Sequence, residues 1–300
     1  MRELLATHPG RVAQHSCITR YNASMKFTKM HGLGNDYVYV NGFTERVADA
    51  SKLARIISDR HTGVGSDGLI LIQPSKDADV RMEMYNADGS RGEMCGNGIR
   101  CVAKYAVEHG VAKGPSLRIE TDAGIKAVEC VMEGSKVASV RVDMGLPELS
   151  ARAIPTTIAA DRVIDHPLRF SGVDYRVTCV SMGNPHAVVF IKELHKVDLV
   201  EVGPKFENAP EFPHRINTHF VRVDSPTQVT MRTWERGSGA TRACGTGACA
   251  VCVAGALTGR TERAVTVELP GGELQIEWAD NDHVYMTGET VEVFTGDWPG

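Results

Sequence analysis

The second half of this 300-residue chain repeats the first, with Cys244 standing 149 positions after Cys95. Asn35 lies 60 residues before Cys95, and Asn184 lies 60 residues before Cys244. In the same frame, the segment CGNG at the first cysteine falls on CGTG at the second. Self-similarity at a fixed offset is the signature of a repeated structural unit. We therefore predict two similar α/β halves related by a pseudo-twofold axis.

The residues around each cysteine predict a strand, a glycine-rich turn and a helix. Alternation of apolar residues over 80–85 predicts a strand, and the pattern over 97–108 predicts a helix that ends at a glycine. The second copy predicts a strand over 228–234 and a helix over 247–257. Each cysteine is therefore expected immediately before the first turn of a helix.

Composition excludes several classes of function. The chain is 42% hydrophobic and 23% charged, as in an ordinary globular protein. A net charge of −4 without a basic block gives no basis for nucleic-acid binding. No apolar run approaches the roughly 20 residues that span a bilayer. Eight unevenly spaced cysteines do not match a disulfide scaffold, so we expect a reducing cytosol.

A cysteine at a helix start has a distinctive chemistry. Several backbone N–H groups there lack partners, and the helix dipole is positive. We therefore expect low thiol pKa values for Cys95 and Cys244. If the two halves face each other, both helix N-termini can bind a single carboxylate. The α-carbon of that ligand would then lie between the two thiols.

Two thiols on opposite faces of one carbon suit inversion of a stereocentre. One thiolate removes the α-proton and the opposite thiol returns one, while backbone N–H groups stabilise the charge that builds on the carboxylate. This scheme requires no pyridoxal and no metal, so no cofactor is expected. The thiols should titrate as a coupled pair, with His186 and Glu235 deciding which of them holds the proton.

Four runs of the sequence together closely resemble diaminopimelate epimerase: HGLGNDYV, YNADGSRGEMCGNGIRC, GNPH and WERGSGATRACGTGA. The resemblance covers about residue 25 to the C-terminus. It implies an α/β (α+β) fold with two pseudo-symmetric halves, each a mixed or antiparallel sheet around a central helix. The active site would lie in the cleft between the halves. The implied reaction is cofactor-independent conversion of LL- to meso-2,6-diaminopimelate, on the path to lysine and peptidoglycan.

The resemblance also implies roles for individual residues. Cys95 and Cys244 match the two acid/base thiols. His186 and Glu235 match residues that tune the thiol pKa values. The residues that match the substrate-binding set are Asn35, Asn86, Gly96, Asn97, Asn184, Asn217, Glu235, Arg236, Gly245 and Thr246. Gly68 stands where some members carry glutamine, which puts one substrate contact in doubt.

We divide the chain into an N-terminal extension, 1–24, expected to be disordered, and two halves, 25–144 and 145–288. The extension lacks the apolar core of a signal peptide, although a transit peptide stays open as an alternative. The last strand, about 289–300, is expected to return to the first half, as the resemblance implies. We expect a cytoplasmic homodimer whose partner is a small-molecule substrate rather than nucleic acid or a membrane.

Two other functions stay open at this point. A proline or hydroxyproline racemase has the same fold and a thiol pair. Asn97, Thr246 and the acidic–basic pair at 235–236 favour a longer substrate with two amino-acid ends. A non-catalytic or thiol-redox binding protein could instead use the two cysteines as a regulatory disulfide.

Other features with motif-like spacing are interpreted as structural. Cys249 and Cys252 have the spacing of a redox motif, but they lie inside the predicted helix, and no second cluster completes a zinc site with Cys244. The segment 63–68 matches GxGxxG but opens a strand, so it is expected to be a turn. His61 is expected to be a structural loop residue. The remaining cysteines that we assign to core packing are Cys101, Cys130 and Cys179.

Overall fold

The computed structural model describes residues 24–170 and 172–299. Within these ranges the chain forms 18 strands, four α-helices and one short 3₁₀ helix. None of the helices in this part of the chain combines the length and the apolar character that a bilayer crossing requires. The prediction of a disordered extension over 1–24 falls, apart from Ser24, outside the described residues.

Ten elements form the first half of the chain, and ten equivalents follow in the same order. The first ten are β1 (Met25–Gly32), β2 (Asn35–Asn41), α1 (Ala50–Ile57), β3 (Gly68–Gln73), β4 (Val80–Asn86), β5 (Arg91–Gly92), α2 (Gly96–Glu108), β6 (Ser116–Thr121), β7 (Gly124–Glu133) and β8 (Lys136–Gly145). After β9 (His166–Phe170), the equivalents are β10 (Val173–Ser181), β11 (Pro185–Phe190), α3 (Leu199–Glu207), β12 (Asn217–Ser225), β13 (Gln228–Glu235), β14 (Gly239–Thr241), α4 (Gly245–Leu257), β15 (Ala264–Leu269), β16 (Gly272–Trp278) and β17 (Val284–Glu289). The 3₁₀ helix, Leu194–Lys196, precedes α3, and β18 (Val291–Trp298) is the last strand.

The repeat in the sequence is therefore a repeat in the structure. Helices α2 and α4 both contain 13 residues and begin at Gly96 and Gly245, one position after the paired cysteines. Helices α1 and α3 begin at Ala50 and Leu199, which stand at the same offset. These equivalences confirm the prediction of two similar α/β halves.

Both halves have a mixed sheet with the same strand order. In the first half β1–β2 and β3–β4 are antiparallel, whereas β2–β3 and β4–β6 are parallel. Strands β10 to β15 repeat this alternation. A parallel pair needs a crossover connection, and the α-helices supply it: α1 and α3 join the first parallel pair of each half, and α2 and α4 the second. This architecture places α2 and α4 at equivalent positions.

The chain ends tie the two halves together. Strand β17 of the second half pairs antiparallel with β8 of the first. Strand β18 pairs antiparallel with β1, in the position that β9 occupies beside β10. We propose that the halves 25–144 and 145–288 are the domains of this protein, with the last strand belonging to the first.

The two central helices are both buried, and for α4 the sequence gives the reason. Helix α4 reads GTGACAVCVAGAL, which is small or apolar all round, and such helices belong in a protein interior. Cys249 and Cys252 on α4 are fully buried in the main core. Cys130 lies in the same core. Packing, as predicted, accounts for these cysteines, and Cys101 and Cys179 are equally buried.

Candidate active site

The two paired cysteines occupy the same position in their halves. Cys95 and Cys244 are the N-cap residues of α2 and α4, with extended backbones at φ −132° and −129°. The Gly98 N–H donates to Cys95 Sγ over 3.4 Å. Both thiols therefore lie beside the first N–H groups of a helix, as predicted.

The two helix starts converge beneath one methionine. A Cβ atom placed on Gly96 would lie 2.9 Å from Met286 Cε, and one on Gly245 would lie 2.9 Å from Met286 Sδ. Only glycine fits at either position without displacing this side chain. The N-termini of α2 and α4 therefore approach each other closely enough to contact one ligand.

A single cleft of about 1360 Å³ lies at this point, between the two halves. It is lined by both thiols and by most of the residues that the resemblance assigns to the substrate. The predicted residues that line it are Asn35, Asn86, Cys95, Gly96, Asn97, Asn184, Glu235, Cys244, Gly245 and Thr246. The repeat and the motifs thus identified residues that the fold brings together.

Three predicted residues lie outside the cleft lining. His186 and Asn217 are buried behind it. The Arg236 side chain is exposed and donates to the His214 carbonyl oxygen over 3.1 Å. Asn217 supports this segment, because its Oδ1 accepts from the Arg236 N–H over 2.9 Å. Gly68, the position in doubt, also does not line the cleft.

Cys95 is held by a polar network from the first half. Its thiol donates to Asn35 Oδ1 over 3.2 Å. Asn35 Nδ2 in turn donates to Asp67 Oδ2 over 2.7 Å, and Arg60 pairs with Asp67 at 2.9 Å. Asp67 thereby fixes which atom of the Asn35 amide faces the thiol. No motif in the sequence pointed to Asp67, because its role depends on the parallel pairing of β2 and β3.

The expectation of low thiol pKa values is wrong for both cysteines. Burial raises the pKa of Cys95, although the N–H groups of Gly98 and Asn97 act in the opposite direction. Burial also raises the pKa of Cys244 well above its usual value, and the Glu235 carboxylate adds to this rise. Loss of water around a thiolate costs more than the helix N-terminus returns.

Glu235 is the carboxylate that faces both thiols. It accepts a hydrogen bond of 2.5 Å from the Thr241 hydroxyl, a partner that the sequence did not suggest. Burial raises the pKa of Glu235 itself. Its negative charge raises the thiol pKa values of Cys244 and Cys95. Glu235 therefore favours the protonated form of the thiols, and most strongly that of Cys244.

Glu235→Gln is expected to move the acid limb of the pH–kcat/KM profile to lower pH. Removing the negative charge of Glu235 lowers the pKa of both thiols, so the required thiolate persists to lower pH. For a partly buried neighbouring charge we expect the acid limb to move by about one pH unit. The profile of Glu201→Gln, an exposed helix residue paired with Lys205, should match that of the unmodified protein. An acid limb that stays in place or rises would contradict this role of Glu235.

His186 belongs to a buried chain of hydrogen bonds. Its Nε2 lies 2.9 Å from Asn184 Oδ1, and its Nδ1 lies 2.9 Å from His219 Nε2. His219 Nδ1 lies 3.0 Å from the Thr233 hydroxyl. Because Asn184 Oδ1 only accepts, the protons run one way: Thr233 donates to His219, which donates to His186. His219 was not identified from the sequence, although it shares a strand face with Asn217.

Both imidazoles of this chain are neutral. Burial lowers the pKa of His219 to about 3 and lowers that of His186 well below its usual value. The ligand atoms of His186, His219 and Cys244 lie within 4.8 Å of one another, as in a metal site. The two imidazole nitrogens, however, are only 2.9 Å apart, which is a hydrogen-bond distance. Two nitrogens bound to one zinc ion at about 2.0 Å need more separation, so this arrangement fits a shared proton.

The geometry as a whole suits chemistry on a small carboxylate. Two helix N-termini, each with a positive dipole end, meet at the floor of the cleft. A thiol stands at each of them, and the amide of Asn97 and the hydroxyl of Thr246 add polar contacts. Such a site can bind an anion and can move protons to and from an atom between the two sulfurs.

Several known proteins are similar to this chain over most of its length. The family model described as diaminopimelate epimerase matches residues 27–150 and 178–293. A diaminopimelate epimerase of Desulfovibrio desulfuricans is 54% identical over 282 residues, which cover 92% of this chain and 98% of that protein. Those of Moorella thermoacetica and Methanococcus maripaludis are 53% and 49% identical, over 92% and 91% of this chain and 99% of each relative.

Solved structures show that the fold is shared more widely. A PhzF-family phenazine biosynthesis protein of Bacillus anthracis superposes with a TM-score of 0.66 at 18% identity, over 91% of this chain and 98% of its own. A probable proline racemase of Agrobacterium radiobacter gives a TM-score of 0.63 at 15% identity, over 91% and 92%. At these identities the likeness shows the common two-half fold alone.

Proposed function

Because the chain belongs to the diaminopimelate epimerase family, we propose that it converts LL-2,6-diaminopimelate to meso-2,6-diaminopimelate, as a step toward lysine and peptidoglycan precursors. It is an isomerase that inverts one stereocentre. The observation that carries this proposal is the convergence of two equivalent helix starts, each with its own thiol, on one cleft.

The reaction proceeds in this proposal by two proton transfers. The thiolate of one cysteine takes the α-proton, and the thiol of the other donates a proton to the opposite face. Between these events, negative charge spreads from the α-carbon onto the carboxylate. The N–H groups of Gly96, Asn97, Gly245 and Thr246 stabilise that charge at the helix starts. The chain supplies every group that this chemistry uses, and no cofactor takes part.

The rest of the substrate is held by polar side chains. Asn35, Asn86 and Asn184 line the cleft near the thiols and are proposed to bind the ammonium and carboxylate groups. Asn217 holds the backbone of Arg236, and Arg236 is proposed to turn from the His214 carbonyl to the distal carboxylate. Glu235 accepts from the ammonium group and sets the thiol pKa values. His186 positions Asn184.

We also propose that the enzyme is a cytoplasmic homodimer. The seven cysteines among the described residues are all free, and a working thiol pair needs a reducing compartment. Strand β18 exposes Val291, Val293 and Phe294 on the surface, and large apolar residues grouped on one strand favour a subunit interface.

Incubation of the purified chain with LL-diaminopimelate tests the function. We expect meso-diaminopimelate to accumulate until equilibrium is reached, without added metal or pyridoxal phosphate. Chiral chromatography measures the amounts of the two stereoisomers. L-Proline and trans-4-hydroxy-L-proline should be left unchanged in parallel reactions. Turnover of either of these instead of diaminopimelate would select a racemase of the same fold, and turnover of none of the three would overturn the proposal.

A further inference from the structure

Arg100 is the largest side chain in the structure that is fully buried. It lies one turn into α2 and is 0% exposed. Its Nη1 donates to the Gly96 carbonyl over 3.0 Å, and its Nη2 donates to Asn97 Oδ1 over 2.9 Å. Nη1 also lies 3.7 Å from Met286 Sδ, in the second half. The guanidinium therefore contacts the first residues of α2 from the side that faces away from the cleft.

This cation has no anionic partner in the part of the chain that the structure describes. Among residues 24–170 and 172–299, the partners of the guanidinium are the Gly96 carbonyl, Asn97 Oδ1 and Met286 Sδ, none of them a carboxylate, and its Nε atom has no hydrogen-bond partner. The titratable groups that face it are thiols and a phenol, on Cys95, Cys101, Cys249 and Tyr39. Arginine stays protonated in proteins, so a full positive charge is buried here without compensation.

The surrounding backbone is shaped to hold the guanidinium. A Cβ atom on Gly32 would lie 3.0 Å from Arg100 Nη2, and one on Gly288 would lie 3.3 Å from Arg100 Cζ. These glycines come from both halves of the fold. The equivalent position on α4 is Cys249, so the repeat supplies no such cation to the helix start at Cys244. A buried charge without a counter-charge lowers the stability of the folded protein, so its presence here suggests a functional role.

We propose that Arg100 is the fixed counter-charge for the anions that form at the α2 end of the cleft, namely the bound carboxylate and the Cys95 thiolate. It is a positioning residue, because it does not line the cleft and acts through Gly96 and Asn97. With Asn97 Oδ1 bound to Arg100, the Asn97 amide presents its N–H groups to the cleft side. This role rests on the proposed function.

The electrostatic effect follows from the surroundings. In a low-dielectric interior, a charge stabilises a nearby opposite charge much more than in water. The charged and titratable groups facing Cys95 are Arg100 and Cys101 on α2, Tyr37 and Tyr39 on β2, and Glu235 on β13. Asp67, paired with Arg60, lies behind Asn35. Arg100 is the cation of this set that has no carboxylate partner, whereas Arg60 pairs with Asp36 and Asp67. Cys244 has the same Glu235 neighbour but no such cation, so Cys95 should ionise first.

Alkylation of the two thiols at a series of pH values tests the charge without any substrate. Iodoacetamide labelling, read peptide by peptide by mass spectrometry, should give a lower pH midpoint for Cys95 than for Cys244. In Arg100→Gln the Cys95 midpoint should rise by about one pH unit, whereas Arg100→Lys, which keeps the charge, should stay close to the unmodified protein. In Glu235→Gln the order of the two midpoints should persist.

Kinetics separate positioning from folding. We expect kcat/KM to fall about 100-fold in Arg100→Gln and about 10-fold in Arg100→Lys. The lysine variant loses some activity because an ammonium group cannot bind the Gly96 carbonyl oxygen and Asn97 Oδ1 together as the guanidinium does. Lys104→Met is the matched control: Lys104 is buried one turn further along α2 but pairs with its own carboxylate, Glu108. It should lower the melting temperature and leave the Cys95 midpoint unchanged.

Three results would overturn the proposal. One is a folded Arg100→Gln variant with the original Cys95 midpoint and kcat/KM. Another is a Cys95 midpoint at or above that of Cys244 in the unmodified protein, which decides the matter even if the glutamine variant does not fold. The third is a shift in Lys104→Met as large as that in Arg100→Gln. Failure of the unmodified protein to epimerise diaminopimelate would overturn the proposed function, while the labelling would still report on Arg100.

Discussion

Replacing either Cys95 or Cys244 with alanine is expected to lower the rate of epimerisation by at least about 1,000-fold. Each thiol supplies one of the two proton transfers, and a positioned acid or base contributes about 10² to 10⁴ in rate. Because both transfers are needed for inversion, the two single variants and the double variant should be about equally inactive. The rate of meso-diaminopimelate formation measures the effect.

Cys130→Ala is the control for loss of a buried cysteine. Cys130 lies in the main core on β7, outside the cleft, and its removal costs packing alone. Its specific activity should stay within about twofold of the unmodified protein once folding is complete. Substantial activity in Cys95→Ala or Cys244→Ala would show that one thiol suffices, against the two-base assignment.

Arg236→Met is expected to raise KM for diaminopimelate about 100-fold with a smaller change in kcat. A charge-assisted bidentate contact to the distal carboxylate contributes about 2 to 3 kcal/mol, and its loss is felt in binding rather than in the proton transfers. The loss of affinity should be large because the variant leaves the distal carboxylate of the substrate without a cationic partner. Initial rates over a range of substrate concentrations separate KM from kcat.

Arg242→Met tests the competing assignment. Arg242 lines the cleft, with its Nη2 donating to the Pro270 carbonyl over 3.4 Å. Arg236 must leave the His214 carbonyl before it can reach a substrate. If Arg242→Met raises KM by two orders of magnitude and Arg236→Met does not, the distal carboxylate binds to Arg242, and the role carried over by resemblance is wrong.

The internal repeat made most of the fold predictable. A motif found twice in one frame requires its secondary structure twice, and the two central helices begin at the same offset as the cysteines. The helix over 199–207 contains Pro204, so its own residue pattern is less typical of a helix than that of α1. Its equivalence with α1 accounts for the helix, because the same crossover is needed between the parallel strands of both halves.

The pKa values of the site residues were less predictable from the sequence than the identity of those residues. The helix start at Cys95 suggested a low thiol pKa, but burial reverses the sign. The amount of water removed from a thiol depends on Met286 and on the opposing half, which are remote in sequence. Local sequence specifies which N–H groups are present, whereas desolvation is a property of the whole fold.

The supporting residues were missed for a related reason. Asp67, His219 and Thr241 each act by orienting a recognised residue, and each reaches it through strand pairing or a loop. Nothing in a single sequence marks such a residue. Arg100 stands inside the recognised motif, but only its complete burial without a carboxylate distinguishes it from a surface arginine.

Isotope incorporation in D₂O tests the central claim, that two thiols act on opposite faces of one carbon. Early in the reaction with LL-diaminopimelate, proton NMR and mass spectrometry should find deuterium at the inverted α-carbon of the meso product and almost none in the remaining substrate. The reason is that the proton removed and the proton returned belong to different sulfurs. Equal early deuteration of substrate and product would indicate a single base and would contradict the account.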